Sequence, residues 1–128
     1  MREILFRGKR VDNGEWVYGY YAHLPSAAGA ADIIYVPASD PDDSNHTVFV
    51  DPETIGQFTG LTDKNGVKIF EGDIVEYEGK RYSINYLPHY ARFSAVKPNT
   101  VFCVFAYQRG EVIGNIYDNP ELIEDGET

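Results

Sequence analysis

Residues 56–75 constrain this chain most: Gly-Gln-Phe-Thr-Gly-Leu-Thr-Asp-Lys-Asn-Gly-Val-Lys-Ile-Phe-Glu-Gly-Asp-Ile-Val. The stretch reads as strand, Asp-Lys-Asn-Gly turn, strand, tight Glu-Gly-Asp bend, strand. Asparagine and glycine tolerate positive φ, so Asn65-Gly66 can close a hairpin whose twist suits its flanking strands. The segment therefore specifies a β meander. It specifies no chemistry.

The rest of the chain speaks the same language. Ile4-Leu5-Phe6-Arg7 and Glu15-Trp16-Val17-Tyr18-Gly19-Tyr20-Tyr21-Ala22 flank a turn at Asp12-Asn13-Gly14. If Asn13-Gly14 is a two-residue loop, Val11 faces Trp16 and Phe6 faces Tyr21, but Asp12 then opposes Glu15. A longer loop with Gly14 in the left-handed region fits equally well. Residues 25–31 read as a small-residue loop, Ile33-Ile34-Tyr35-Val36 and Thr47-Val48-Phe49-Val50 as strands, and residues 37–45 as a polar loop. Asp51-Pro52-Glu53 and Asn119-Pro120-Glu121 each combine a cap, a proline suited to the first helical position and an acid at the positive end of the dipole. Both predict short helical turns at a barrel end.

One hairpin is supported at three levels. With Gly79-Lys80 as the loop, Tyr77 faces Tyr82 and Val75 faces Ile84 on one side, while Glu78 faces Arg81 and Glu76 faces Ser83 on the other. Residues 86–99 read as a loop and Val101 to Tyr107 as a strand. No amphipathic helix of three turns occurs. Short strands at close spacing predict a mainly β fold: a small antiparallel barrel with an N-terminal β-hairpin extension and one or two short helical turns. The expected core is Phe58, Leu61, Phe70, Val75, Tyr77, Tyr82, Ile84, Val104 and Ile113. A length of 128 residues suits one domain, with sub-lobes 1–55 and 56–128.

Composition narrows the function classes. Hydrophobic residues make up 43% and aromatic residues 14%, enough for a core, and no apolar run reaches membrane-spanning length. The N terminus has only three consecutive apolar residues, Ile4-Leu5-Phe6, too few for a signal peptide. The single cysteine, Cys103, cannot form an internal disulfide and reads as a small core residue on a strand. Cytoplasmic residence is the simplest expectation. The net charge of −9 opposes non-specific binding to nucleic acid or membranes. It is unevenly spread: residues 11–63 contain no Lys or Arg.

The pieces together resemble the YopX family, small proteins of phages and prophages of Gram-positive bacteria. The matching stretches run in order: Arg2-Glu3-Ile4-Leu5-Phe6-Arg7-Gly8-Lys9, Asn13-Gly14-Glu15-Trp16-Val17-Tyr18-Gly19, residues 53–61, Asp63-Lys64-Asn65-Gly66, residues 69–75 and residues 113–122. Gly60, Asn65, Gly66, Gly72, Asp73, Gly114, Asn115 and Pro120 are the structural positions of this signature. Residues 25–46 and 86–99 fit it least. The resemblance implies an SH3-like barrel, a phage context in a bacterial host cell, and no catalytic residues or cofactor.

Candidate chemistry is sparse. His23, His46 and His89 have no partners at metal-ligand spacing; Asp42, Asp43 and His46 are close in sequence, but acidic polar loops are common. No phosphate loop, nucleophile elbow or dinucleotide fingerprint is present. Asp73 invites a catalytic role, yet a carboxylate bonding backbone N–H groups at a bend explains it better. Lys80, Arg81, His89, Tyr90, Arg92 and Lys97, with neighbouring tyrosines, interleave cations and rings as a single-strand-binding surface would. Two expectations follow. The first is a non-enzymatic accessory protein working through contacts with a host or phage protein, or with itself as a homo-oligomer, and using no metal. The alternative is a nucleic-acid-binding module built on residues 80–97. An enzyme of unrecognised type ranks third.

Overall fold

The computed structural model describes residues 3–26, 29–36, 46–87, 92–97, 100–102 and 109–123. These residues form eleven strands and two short 3-10 turns. The chain divides into two compact units, Met1–Gln57 and Phe58–Thr128.

The first unit holds β1 (Phe6–Lys9), β2 (Trp16–Ser26), β3 (Gly29–Val36) and β4 (His46–Phe49). They are consecutive antiparallel neighbours, and β5 (Gly56–Thr62) starts by pairing with β1, Arg7 opposite Gly56. The β1–β2 hairpin takes the longer loop: Phe6 pairs with Gly19 and Lys9 with Trp16, and Gly14 has φ 75°. Phe6 and Tyr21 still touch diagonally, with ring centroids 5.7 Å apart. Residues 25–31 are not the expected loop. Pro25 pairs with Ala30 and Ser26 with Gly29, so the small residues form the end of a long hairpin. Alanine and glycine leave room for strands to run on, and their low β propensity is outvoted by the pairing that Tyr20, Tyr21, Ile33 and Ile34 establish. The turn at Pro52–Thr54 is capped as expected, the Asp51 carboxylate accepting from Glu53 N at 3.0 Å. Lys9 N donates to Thr54 Oγ1 at 2.9 Å, which ties this turn to β1.

In the second unit β5 continues and pairs with β6 (Lys68–Phe70). Their loop is not a two-residue Asn-Gly turn. Asp63 N donates to Val67 O at 2.9 Å, which leaves three loop residues with Gly66 at φ 84°. Asparagine 65 keeps ordinary negative φ, so a single left-handed residue closes the loop. A five-stranded antiparallel sheet follows in the order β10-β9-β8-β7-β11, with β7 (Asp73–Tyr77), β8 (Lys80–Leu87), β9 (Arg92–Lys97), β10 (Thr100–Phe102) and β11 (Glu111–Asn115). The expected meander through β7 is absent: both sides of β7 are occupied, by β8 and β11, so β6 cannot pair with it. The sheet is open, and no closed barrel forms among the described residues. The anticipated SH3-like closure is thus replaced by two open antiparallel sheets. Residues 92–97, expected as loop, form β9, and of the strand expected at 101–107 only β10 is described; Cys103 and Val104 lie outside the described residues.

The β7–β8 register also differs from expectation. Val75 faces Tyr82, Glu76 faces Arg81 and Tyr77 faces Lys80. The loop is Glu78-Gly79, with φ 54° and 78°, the double positive φ of a type I′ turn, where a Gly79-Lys80 loop was expected. Partners move by two residues, so every side chain keeps its face. Phe58, Ile69, Phe70, Ile74, Val75, Tyr82 and Ile84 are buried in this unit, Phe58 and Phe70 as expected; Ile69, Val75, Tyr82 and Ile84 form one cluster, flanked by Leu61, Tyr77, Phe93 and Val112. Val112 takes the place expected of Ile113 because the β11 register shifts between Val112 and Gly114, and Ile113 is left without a partner across the ladder.

Candidate binding surface

Alternation along β2, β3 and β4 sorts their side chains onto two faces. Tyr20 pairs with Tyr35, Ala22 with Ile33, Leu24 with Ala31, Ile33 with Phe49 and Tyr35 with Thr47. These residues, with Tyr18 two positions before Tyr20, share one face. Five large apolar side chains on it are exposed: Tyr18 45%, Tyr20 56%, Leu24 48%, Tyr35 42% and Phe49 59%. Half-exposed aromatic rings gathered on neighbouring strands are what a docking surface offers, and isolated surface apolar residues do not. Sequence reasoning missed this face. Alternation showed two faces but could not say which would stay uncovered.

The other face of the same strands is covered around Ile34, while His23 at its margin stays exposed. Ile34 is fully buried, and Gly19 lies so close to Tyr35 O that a Cβ there would collide with it. Here Tyr21 donates its hydroxyl to Asp32 Oδ1 at 2.6 Å, and His23 Nδ1 lies 2.9 Å from the same oxygen. An ionised carboxylate can only accept, so Nδ1 carries the proton in this contact. The Tyr21 hydroxyl, then His23, hold the Asp32 carboxyl below the usual carboxylate range. The same hydrogen bond to Asp32, with burial and the nearby charge, pushes Tyr21 upward. The trio fastens β2 to β3. Asp32 is the only acidic side chain on β2, β3 and β4, and those strands contain no Lys or Arg.

The expected basic residues fall at the two ends of β8: Ser83 pairs with Val96, so Lys97 lies toward the Lys80-Arg81 end and Arg92 at the other. Lys80 and Arg81 lie at the start of β8, opposite Tyr77 and Glu76. Arg92 pairs with Leu87 at the far end of that strand, and Lys97 pairs with Thr100. Six residues of strand separate Arg81 from Leu87, roughly 20 Å at the usual rise. Arg81 is also engaged: Nε lies 3.6 Å from Glu76 Oε2 and Nη1 donates to Leu122 O at 3.3 Å. His89 and Tyr90 lie outside the described residues.

The signature residues build the second unit. Asp63, 5% exposed, accepts from Asn65 N and Val67 N through Oδ1 and from Val112 N through Oδ2, all at 2.8–2.9 Å. Burial opposes its ionisation, but the N–H groups of Val112, Val67 and Asn65, with the Lys64 charge, outweigh it and hold the carboxyl below its ordinary value. One side chain thus closes the β5–β6 loop and anchors it to β11. Asp73 is buried and accepts from Phe70 N at 2.8 Å across the Glu71-Gly72 bend. Gly72 N donates to Ile84 O, and Gly72 O accepts from Ile116 N. Asn115 Oδ1 accepts from Tyr117 N and Asp118 N. Gly60, with φ 93°, sits where the β5–β6 register shifts, and Pro120 opens the second 3-10 turn. That turn has no side-chain cap; the Asn119 carbonyl oxygen Oδ1 is taken by Asn115 N.

No group of three metal-ligating side chains is found among the described residues, and no described helix is long and apolar enough to cross a membrane. No curated protein gives a significant match. A crystal structure of protein EF1440 from Enterococcus faecalis is similar, with 29% identity, a TM-score of 0.59, and coverage of 97% of this chain and 100% of that one. The YopX protein family matches residues 5–124. The Asp63 loop, the Gly72-Asp73 bend and the Gly114–Pro120 turn all fall in that span, and the chain belongs to the YopX family.

Proposed function

We propose that this protein is a phage- or prophage-encoded accessory protein that works in the host cytoplasm by protein–protein contact and catalyses no reaction. The observation that carries the reading is the exposed face of Tyr18, Tyr20, Leu24, Tyr35 and Phe49. Tyrosine and phenylalanine are enriched at protein interfaces, and charged residues are depleted at interface centres, as they are here. The turn chemistry of the second unit supports the same view, because Asp63 accepts from three backbone N–H groups and Asp73 accepts from Phe70 N. A photo-crosslinking residue placed at Tyr20 tests it in infected or lysogenic cells. The expected products are protein adducts. Adducts to nucleic acid, with none to protein, would overturn the reading.

A further inference from the structure

We infer that the exposed face of β2, β3 and β4 is a self-association surface, covered in solution by the same face of a second copy. This rests on the protein-contact reading above and names the occupant.

Charge decides among occupants. The face presents Tyr18, Tyr20, Ala22 and Leu24 from β2, Ala31, Ile33 and Tyr35 from β3, and Thr47 and Phe49 from β4. None is charged, and Asp32 lies on the opposite face with Tyr21 and His23. A nucleic-acid strand needs cations to neutralise its phosphates, and these three strands have no Lys or Arg. The charges of this face lie at its β1 edge, where Arg7 and Lys9, in register with Tyr18 and Trp16, sit over the Trp16 ring; the patch on β2, β3 and β4 is itself neutral. A neutral apolar face is complementary to itself. Two copies of a chain with net charge −9 can meet there without burying a carboxylate.

Area and symmetry agree. Aromatic side chains present about 150–250 Å² each, so five large residues half exposed offer on the order of 500 Å² per copy. Two copies would bury about 1,000 Å², the lower limit for a biological interface and the size of a weak, reversible one. An isologous contact uses one patch twice. Tyr20 and Tyr35, directly opposite across β2 and β3, lie centrally in that patch, and twisted sheets pack face to face at about −30°.

The test is the mass of the full chain in solution, by sedimentation equilibrium from about 1 to 100 µM, concentrations that bracket a micromolar dissociation constant. The expected result is twice the 14.4 kDa protomer mass. Tyr20→Asp with Tyr35→Asp should weaken association at least ~100-fold, by burying charge in the interface. Phe49→Lys, on a different strand, is a second variant should the first fail to fold; circular dichroism checks both. A wild-type chain that stays monomeric at the highest concentration would overturn the inference. So would a dimer that these folded variants leave intact. Protein adducts at position 20 from a monomeric wild type would sink self-association alone and leave the protein-contact reading standing.

Discussion

Gly114 lies directly beneath the side chain of Asn119: a Cβ at position 114 would stand 2.5 Å from Asn119 Oδ1. That oxygen accepts from Asn115 N at 3.2 Å, and Asn119 N donates to Asn115 O at 2.8 Å. The glycine is there to admit the asparagine. Gly114→Ala should therefore cost about 1–3 kcal/mol, because the alanine must displace the Asn119 side chain and unmake its hydrogen bond. Urea unfolding of the variant checks this; an unchanged midpoint would show that the turn relaxes freely.

Asp63→Asn retains size but loses the charge that three backbone N–H groups share. The loss should be about 2–4 kcal/mol at neutral pH, since hydrogen bonds to an ionised acceptor are the stronger kind. The pH dependence has a definite sign. Asp63 titrates below its ordinary value when folded, so its contribution is present above the unfolded value and disappears as pH falls through the folded one. The gap between wild type and variant should narrow on acidification below about pH 4. Thermal unfolding of both proteins from neutral to acidic pH measures it.

Glu78 is the one non-glycine residue with positive φ among those described, at 54°. A left-handed glutamate costs about 1 kcal/mol that asparagine or glycine avoids. Glu78→Asn creates an Asn-Gly type I′ pair and should raise the melting temperature by a few degrees, or about 0.5–1 kcal/mol. Calorimetry decides, and a destabilised variant would mean that Glu78 contributes through its charge.

Oligonucleotide titration bears on the basic stretch of β8 and β9. The expectation is no saturable binding to single or double strands even at low salt, given the net charge of −9 and the separation of Arg92 from Arg81 along β8. Micromolar, salt-sensitive binding that disappears in the Arg92→Ala, Lys97→Ala protein would favour the nucleic-acid alternative instead.

Local chemistry determined much of this molecule. Strand alternation, the cap at Asp51, the left-handed glycines and the backbone-binding role of Asp73 follow from residues only a few positions apart, whose preferences act whatever the remainder of the chain does. Tertiary structure decided the rest. The β7–β8 register could not be chosen from its pattern, because a two-residue shift returns every side chain to the same face; the turn at Glu78-Gly79 broke the tie. The absence of a barrel turned on β11 pairing with β7, with Asn115 opposite Asp73, more than forty residues away in sequence. Asp63 reads as a turn residue until Val112 N arrives from β11. The face of Tyr20, Tyr35 and Phe49 was written in the sequence as alternation, which is symmetric between inside and outside. Only packing on the Ile34 side determined which half of that pattern meets solvent.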